Sequence, residues 1–259
     1  MSAAAVVPFS SQHLAAIFGH DIFTSHNFRS PYQYWIPLIS MYSGLRPLEA
    51  AQLHLEDIKL SGEIRYFDVN DTPPRKLKAR YSLRRVPIHS VLIDLGFIDF
   101  IEELKKADEK VLFPELWDHS VLNTVTVGKR FKIVLDGVSV VGRGLCGSSF
   151  RTTVANAYKH VGYNQDIVCE VLGILTNSIT FATYAAPTSL SILQKAVEVL
   201  NFSHLGVNVI SPVKPWVTGS VERSKMLRKM QQVAPGINIS DDDLTSALLS
   251  LPQPKKRRV

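Results

Sequence analysis

Cysteine is nearly missing from this sequence: only Cys146 and Cys169 occur in 259 residues. Two thiols exclude a disulfide-stapled scaffold and fall short of a four-ligand zinc site, so the plain expectation is a pair of reduced cysteines in an intracellular protein. A secretory signal is missing too, because MSAAAVVPFS has no basic region and too short an apolar run. Nor is there a long unbroken apolar stretch. The longest charge-free segment, Val171 to Gln194, is interrupted by Thr176, Asn177, Ser178, Pro187 and Ser189, which argues against a membrane helix. No internal repeat is visible, and no glycine or serine linker divides the first 210 residues. Apolar side chains, in contrast, make up 46% of the chain, enough for a real core and too many for disorder throughout.

Positive charge is also scarce once its location is considered. The chain has 29 basic and 23 acidic residues, a formal balance of +6. Four of the basic residues, Lys255, Lys256, Arg257 and Arg258, sit in the C-terminal tail. Six more, Arg75, Lys76, Lys78, Arg80, Arg84 and Arg85, form a cluster with no acid between them. Without those ten residues, 19 basic side chains face 23 acidic ones. A mildly acidic body with two concentrated basic sites suits a polyanion partner better than diffuse charge does, although one such run alone is ordinarily a solvated surface.

Periodicity predicts a mostly helical chain with one small antiparallel sheet, an α+β fold. SSQHLAAIF reads as a short helix capped by serine. YWIPLISMY is apolar on most sides and reads as a buried helix despite Pro37, ending at Gly44 in a left-handed cap. Arg46 and Pro47 open a further helix over PLEAAQLHL, with Pro47 in the first turn. Three strands follow in IKL, EIRYFDV and RRVPIH, with the basic cluster on the last hairpin. Helical spacing returns in VLIDLGFIDFIEELKKA, FRTTVANAYKHV, QDIVCEVLG and SLSILQKAVEVLNF. A last helix over 240–251 carries Leu244, Ala247, Leu248 and Leu251 on one stripe, ahead of the basic tail. The domain reading is a body over 1–210 and an extension over 211–259.

Individually, the chemistry-bearing residues are weak signals. Arg151 opens a helix, where a cation opposes the macrodipole unless an anion lies nearby. Together, SGLRPLEAAQLHLEDIKL, LKARYSLRRVPIH, SSFRTTVANAYKHVG and VLGILTNSITFATY resemble, in order and spacing, the tyrosine recombinase (phage integrase) family, most closely the genomic-island type from bacteria and phages. The likeness runs over most of Phe9 to Phe202 and includes LFPEL. It implies a recombinase catalytic domain. Arg46 matches the arginine of a G-L-R-x-x-E-A run, and Arg151 closes the H-x-x-R box. Lys78, with Lys76 as runner-up, matches the lysine before a V-P-I-H segment, and Tyr184 matches the nucleophile. Two family positions are substituted: Ser148 stands where the H-x-x-R box has its histidine, and Ile174 where the L-G-H box has histidine or tryptophan.

The resemblance implies double-stranded DNA as partner, no cofactor and no catalytic metal. It also implies attack by tyrosine on a phosphodiester, giving a phosphotyrosine link and a free hydroxyl. Paired guanidiniums suit the phosphate oxygens, and lysine suits the leaving oxygen as a proton donor. Arg75, Lys76, Arg80, Arg84 and Arg85 are the expected DNA contacts. Ser148 is a poor base and Ile174 can neither donate nor accept, which suggests an impaired site-specific recombinase or integrase. The alternative is an inactive DNA-binding or regulatory derivative, and the blandest reading is a relic used for protein contacts. In the family a C-terminal segment often docks on a neighbouring protomer, a role open to helix 240–251, which could equally fold back on its own domain. Set against the family pattern, the expectation is a catalytic-type domain without the N-terminal DNA-clamping domain, either as a fragment or as a naturally short form. The expected location is the bacterial cytoplasm, at the nucleoid; PQPKKRRV, if a native import signal, makes it nuclear.

Overall fold

The structure, a computed structural model, describes residues 5–24, 28, 30–118, 121–175 and 187–202. Tyr184, the extension 211–259, its helix 240–251 and the basic tail lie outside the described residues. The expected mixture is observed: ten helices and a three-stranded antiparallel sheet dominate the described residues, with a second sheet of two short strands.

Helix α1 (Ser11–Phe18) starts at Ser10, whose Oγ accepts from the His13 N–H at 3.2 Å. The short α2 (Asp21–Thr24) leads to α3 (Tyr32–Ser43), which is buried on almost every side and ends at Gly44 in the left-handed region (φ 67°). Helix α4 is shorter than expected, Pro47–Ala51. Its continuation is lost because Leu53 pairs instead with the chain near Leu112, and a short 3-10 turn over Leu55–Asp57 follows. The sheet then forms from β1 (Ile58–Ser61), β2 (Ile64–Val69) and β3 (Arg84–Pro87), in that spatial order. Ile58 lies opposite Phe67 on one side of β2, and Val69 lies opposite Arg84 on the other. A two-residue turn joins β1 to β2, with Gly62 supplying a positive φ.

The helix expected over VLIDLGFIDFIEELKKA is two helices, α5 (Ser90–Asp94) and α6 (Phe97–Lys106). Gly96 breaks it with a left-handed conformation. Phe97, Phe100, Ile101 and Leu104 of α6 face inward, while Glu102–Lys105 and Glu103–Lys106 pair on its solvent side. The strands β4 (Trp117–Asp118) and β5 (Val121–Leu122) precede α7 (Thr124–Gly137), a helix whose β-branched residues and Gly128 hide it from propensity reading. The last described elements are α8 (Ser149–His160), α9 (Gln165–Leu172) and α10 (Leu190–Glu198).

Trp35 is the centre of the core. It is fully buried, with its ring 4.9 Å from Phe97 and 5.9 Å from Phe100. Truncating an aromatic anchor of this kind typically costs about 3–5 kcal/mol. Around it, α3 packs on α4 and α8, and α10 covers β3 and α9. This packing brings the start of α4, the start of α8 and the end of α9 to one place.

Candidate oxyanion site

Arg46 occupies the N-cap of α4, in extended conformation. Glu49, three residues on, reaches back to it: Oε2 accepts from the Arg46 N–H at 2.9 Å and Oε1 from Arg46 Nη1 at 2.5 Å. The first turn of α4 thereby caps itself and aims the guanidinium. Glu49 takes a second guanidinium as well, with Arg84 Nη2 at 2.8 Å. Burial works against its negative charge, but Arg84 and Arg46 outweigh that effect and hold its carboxyl below the usual carboxylate range.

Arg151 arrives from the first turn of α8. Its Nη1 donates to the Gly44 carbonyl at 2.7 Å, and its Nη2 donates to the carbonyl of Leu172. Both acceptors are at helix C-terminal ends, where unpaired carbonyls concentrate partial negative charge. Burial of Arg151, joined by the positive charges of Arg46 and Arg84, pushes its pKa down to about 9. Three guanidiniums against one carboxylate leave an excess of positive charge in a half-buried place. Such a site is electrostatically incomplete without an anion, and a planar fork matches phosphate oxygens.

Two glycines make room for this arrangement. Gly44 ends α3 with φ 67° and offers its carbonyl to Arg151. Gly173 ends α9 with φ 58°, and a Cβ there would come within 2.9 Å of Arg84 Nη1. Closing bonds from Gly173 and Ile174 to the carbonyls of Glu170 and Cys169 leave the Val171 and Leu172 carbonyls to Arg84 and Arg151.

The basic cluster divides into two kinds of residue. Lys76, Lys78, Arg80 and Arg85 are exposed and form no ion pair among the described residues. Lys78 lies in the connection between β2 and β3 rather than on a strand. Arg75 and Arg84, expected as DNA contacts, are corrected by their burial. Arg75 donates to Asp57 from Nε at 2.7 Å and to Glu56 from Nη2, and its side chain is 3% exposed. Arg84 donates to Glu49, to the Val171 carbonyl and to the Ser82 carbonyl. Neither guanidinium is available to a DNA backbone.

Ser148 is exposed at the start of α8, and Ile174, 44% exposed, follows the end of α9. His160 is exposed at the far end of α8. His89 is buried against Tyr42 at 4.9 Å, with Nδ1 accepting from the Val91 N–H, and burial lowers its pKa. No histidine is hydrogen-bonded to the arginine set among the described residues. Sequence reading missed Glu49 and the inward role of Arg84, although both had signals. Glutamate at the third position of a helix is a capping pattern, and alternation along RRVPI puts Arg84 on the face of Val86.

No family model matches this sequence, and no curated protein matches it. Two solved structures do resemble the chain. An integrase from mycobacterium phage Brujita superposes with a TM-score of 0.51 at 16% identity, over 85% of this chain and 65% of that one. The Tn1549 transposon integrase, solved with transposon right-end DNA, gives 0.46 at 17% identity, over 70% of this chain and 62% of that one. The chain therefore spans less than two-thirds of the length of either integrase. The phage likeness shows the fold alone: the described residues share the fold of that phage integrase. No helix among the described residues is long and apolar enough to cross a membrane.

Proposed function

We propose, from this integrase fold, that the chain is a site-specific DNA recombinase that cleaves and rejoins strands through a phosphotyrosine intermediate. The observation that carries the reading is the convergence of Arg46 and Arg151, 105 positions apart in sequence, on the Gly44–Glu49 turn. In the proposed reaction the scissile phosphate lies against these two guanidiniums. The oxygen of Tyr184 gives up its proton to water and forms a bond to phosphorus as the bond to the leaving deoxyribose oxygen breaks. Charge grows on the non-bridging oxygens during attack, so the attraction is greatest in the transition state. Lys78 protonates the leaving oxygen, which departs as a hydroxyl.

Chain connectivity supports Tyr184 as nucleophile. Four residues beyond it, Thr188 gives its N–H and hydroxyl to the Glu170 carboxylate. Glu170 precedes Leu172, the Arg151 acceptor, by two positions on α9. Four residues extend at most about 14 Å, which bounds the reach of the chain from Thr188 back to position 184. Lys76, Lys78, Arg80 and Arg85 are the proposed backbone contacts on double-stranded DNA. The apolar stripe of 240–251 is the proposed contact with a second copy on DNA, and the proposed location is the cytoplasm.

The test is an SDS-resistant adduct with a pool of nicked duplexes of randomised sequence. The wild-type chain should form the adduct, and Tyr184→Phe should abolish it. Absence of adduct from the wild type sinks the cleavage reading. The substitutions at Ser148 and Ile174 favour a second reading, an inactive DNA-binding derivative. It predicts no adduct, with salt-dependent DNA affinity that Tyr184→Phe leaves unchanged.

A further inference from the structure

The three arginines around Glu49 are not equivalent. A quarter of the Arg46 side chain is exposed, whereas the Arg84 side chain is 2% exposed. Every nitrogen of the Arg84 guanidinium has a protein acceptor: Nη2 on Glu49 Oε2 at 2.8 Å, Nε on the Val171 carbonyl at 2.8 Å, and Nη1 on the Ser82 carbonyl at 2.9 Å. The chain is shaped around this group, since Gly173 leaves no room for a Cβ beside it. We propose that Arg84 is a positioning residue, which holds Glu49 from the buried side so that Arg46, although paired with Glu49 through Nη1, keeps positive charge for an oxyanion. The inference rests on the oxyanion-site reading above.

Charge and geometry lead to this role. Glu49 is a buried carboxylate and needs a cationic partner. With Arg84 in place, its charge is shared between two guanidiniums, and the set keeps two excess positive charges. Without Arg84, the whole carboxylate charge falls on Arg46 and only one excess charge remains for a ligand. The bond to Val171 adds a mechanical part, because Arg84 and Arg151 hold successive carbonyls at the end of α9. Strand β3 is thereby tied to α4 through Glu49 and to α9 through Val171, linking the elements that present Arg46 and receive Arg151.

Inorganic phosphate is the probe, titrated calorimetrically into the full chain at neutral pH and low ionic strength. Arg84→Met should weaken phosphate binding about tenfold, because one nearby charge is removed at short range. Arg84→Met combined with Glu49→Gln should bring affinity back to within about threefold of wild type, since the excess of two charges is restored. A purely structural Arg84 gives a double variant at least as weak as the single one, and that outcome overturns the proposal. Glu49→Gln alone keeps the helix cap and should tighten phosphate binding. If Arg84→Met does not fold, unchanged or weaker binding by Glu49→Gln overturns the proposal instead. Absence of saturable phosphate binding by the wild type overturns the oxyanion-site reading together with this inference. Binding without recovery in the double variant overturns the role of Arg84 alone.

Discussion

The guanidinium of Arg151 donates to the carbonyl of Gly44 at 2.7 Å, so the first turn of α8 is fastened to the residue that caps α3. Gly44 is there for its backbone: φ is 67°, and an added Cβ would meet Leu172 Cδ2 at 2.4 Å. Gly44→Ala should therefore lower stability by about 1–2 kcal/mol from conformation alone, with a further cost from the steric clash. Gly62→Ala supplies the control, because Gly62 has φ 60° and nothing within 4 Å of the added atom. Urea unfolding of both variants separates the two effects, and equal destabilisation would show that Leu172 yields freely.

The depressed pKa of Arg151 has a pH signature. Burial, with Arg46 and Arg84 nearby, sets it at about 9, below the ordinary arginine value. The unfolded chain holds that proton more tightly than the folded chain does. In the absence of anion, the contribution of Arg151 to folding stability should therefore be level below pH 9 and rise as pH climbs through 9, because above that point the unfolded state binds more protons than the folded state. Anion binding has the opposite dependence, since it needs the cation. Sulfate keeps its own charge over this range, and its affinity should fall as pH crosses 9. Calorimetric titration checks this, and Arg151→Met should bind weakly with no step there.

The same residues show what was legible before the structure. Gly44, Pro47 and the three strands were readable because turn chemistry and alternation are local properties of the chain. The arginine pair was readable only through motif resemblance. Arg75 and Arg84 looked like solvated cations because their carboxylates come from elsewhere, Asp57 at 18 positions away and Glu49 at 35. A basic run with no acid inside it says nothing about acids folded against it. Similarly, the α5–α6 break turned on one glycine inside an otherwise helical pattern. The shortening of α4 turned on pairing with a segment near Leu112.

The hydrogen bonds between Thr188 and Glu170 predict a separation of binding from chemistry. Thr188 immediately precedes Ser189, the N-cap of α10, so they fix the chain at position 188, four residues after Tyr184 in sequence. Thr188→Val removes the hydroxyl donor and retains the backbone one. If Tyr184 is the nucleophile, adduct formation should slow by about tenfold through looser positioning, while duplex affinity stays unchanged. Gel-shift titration and single-turnover adduct kinetics distinguish the two. An equal drop in both measurements would assign Thr188 to fold integrity instead.

Burial should decide which member of the basic run acts on DNA and which acts on the fold. Lys76, Lys78, Arg80 and Arg85 are exposed, so replacing any one by alanine should reduce the salt dependence of duplex binding. The slope of log affinity against log salt should change by about 0.9 for each phosphate no longer neutralised. Melting temperature should hardly move. Arg75 predicts the reverse: its guanidinium is pinned to Asp57 and Glu56, and Arg75→Met strands the buried Asp57 carboxylate. Breaking a buried pair in this way costs about 3–5 kcal/mol of stability. The salt slope of whatever folded Arg75→Met remains should match wild type. A slope change for Arg75→Met with an unchanged melting temperature would mean that Arg75 leaves Asp57 and reaches the phosphates when DNA binds.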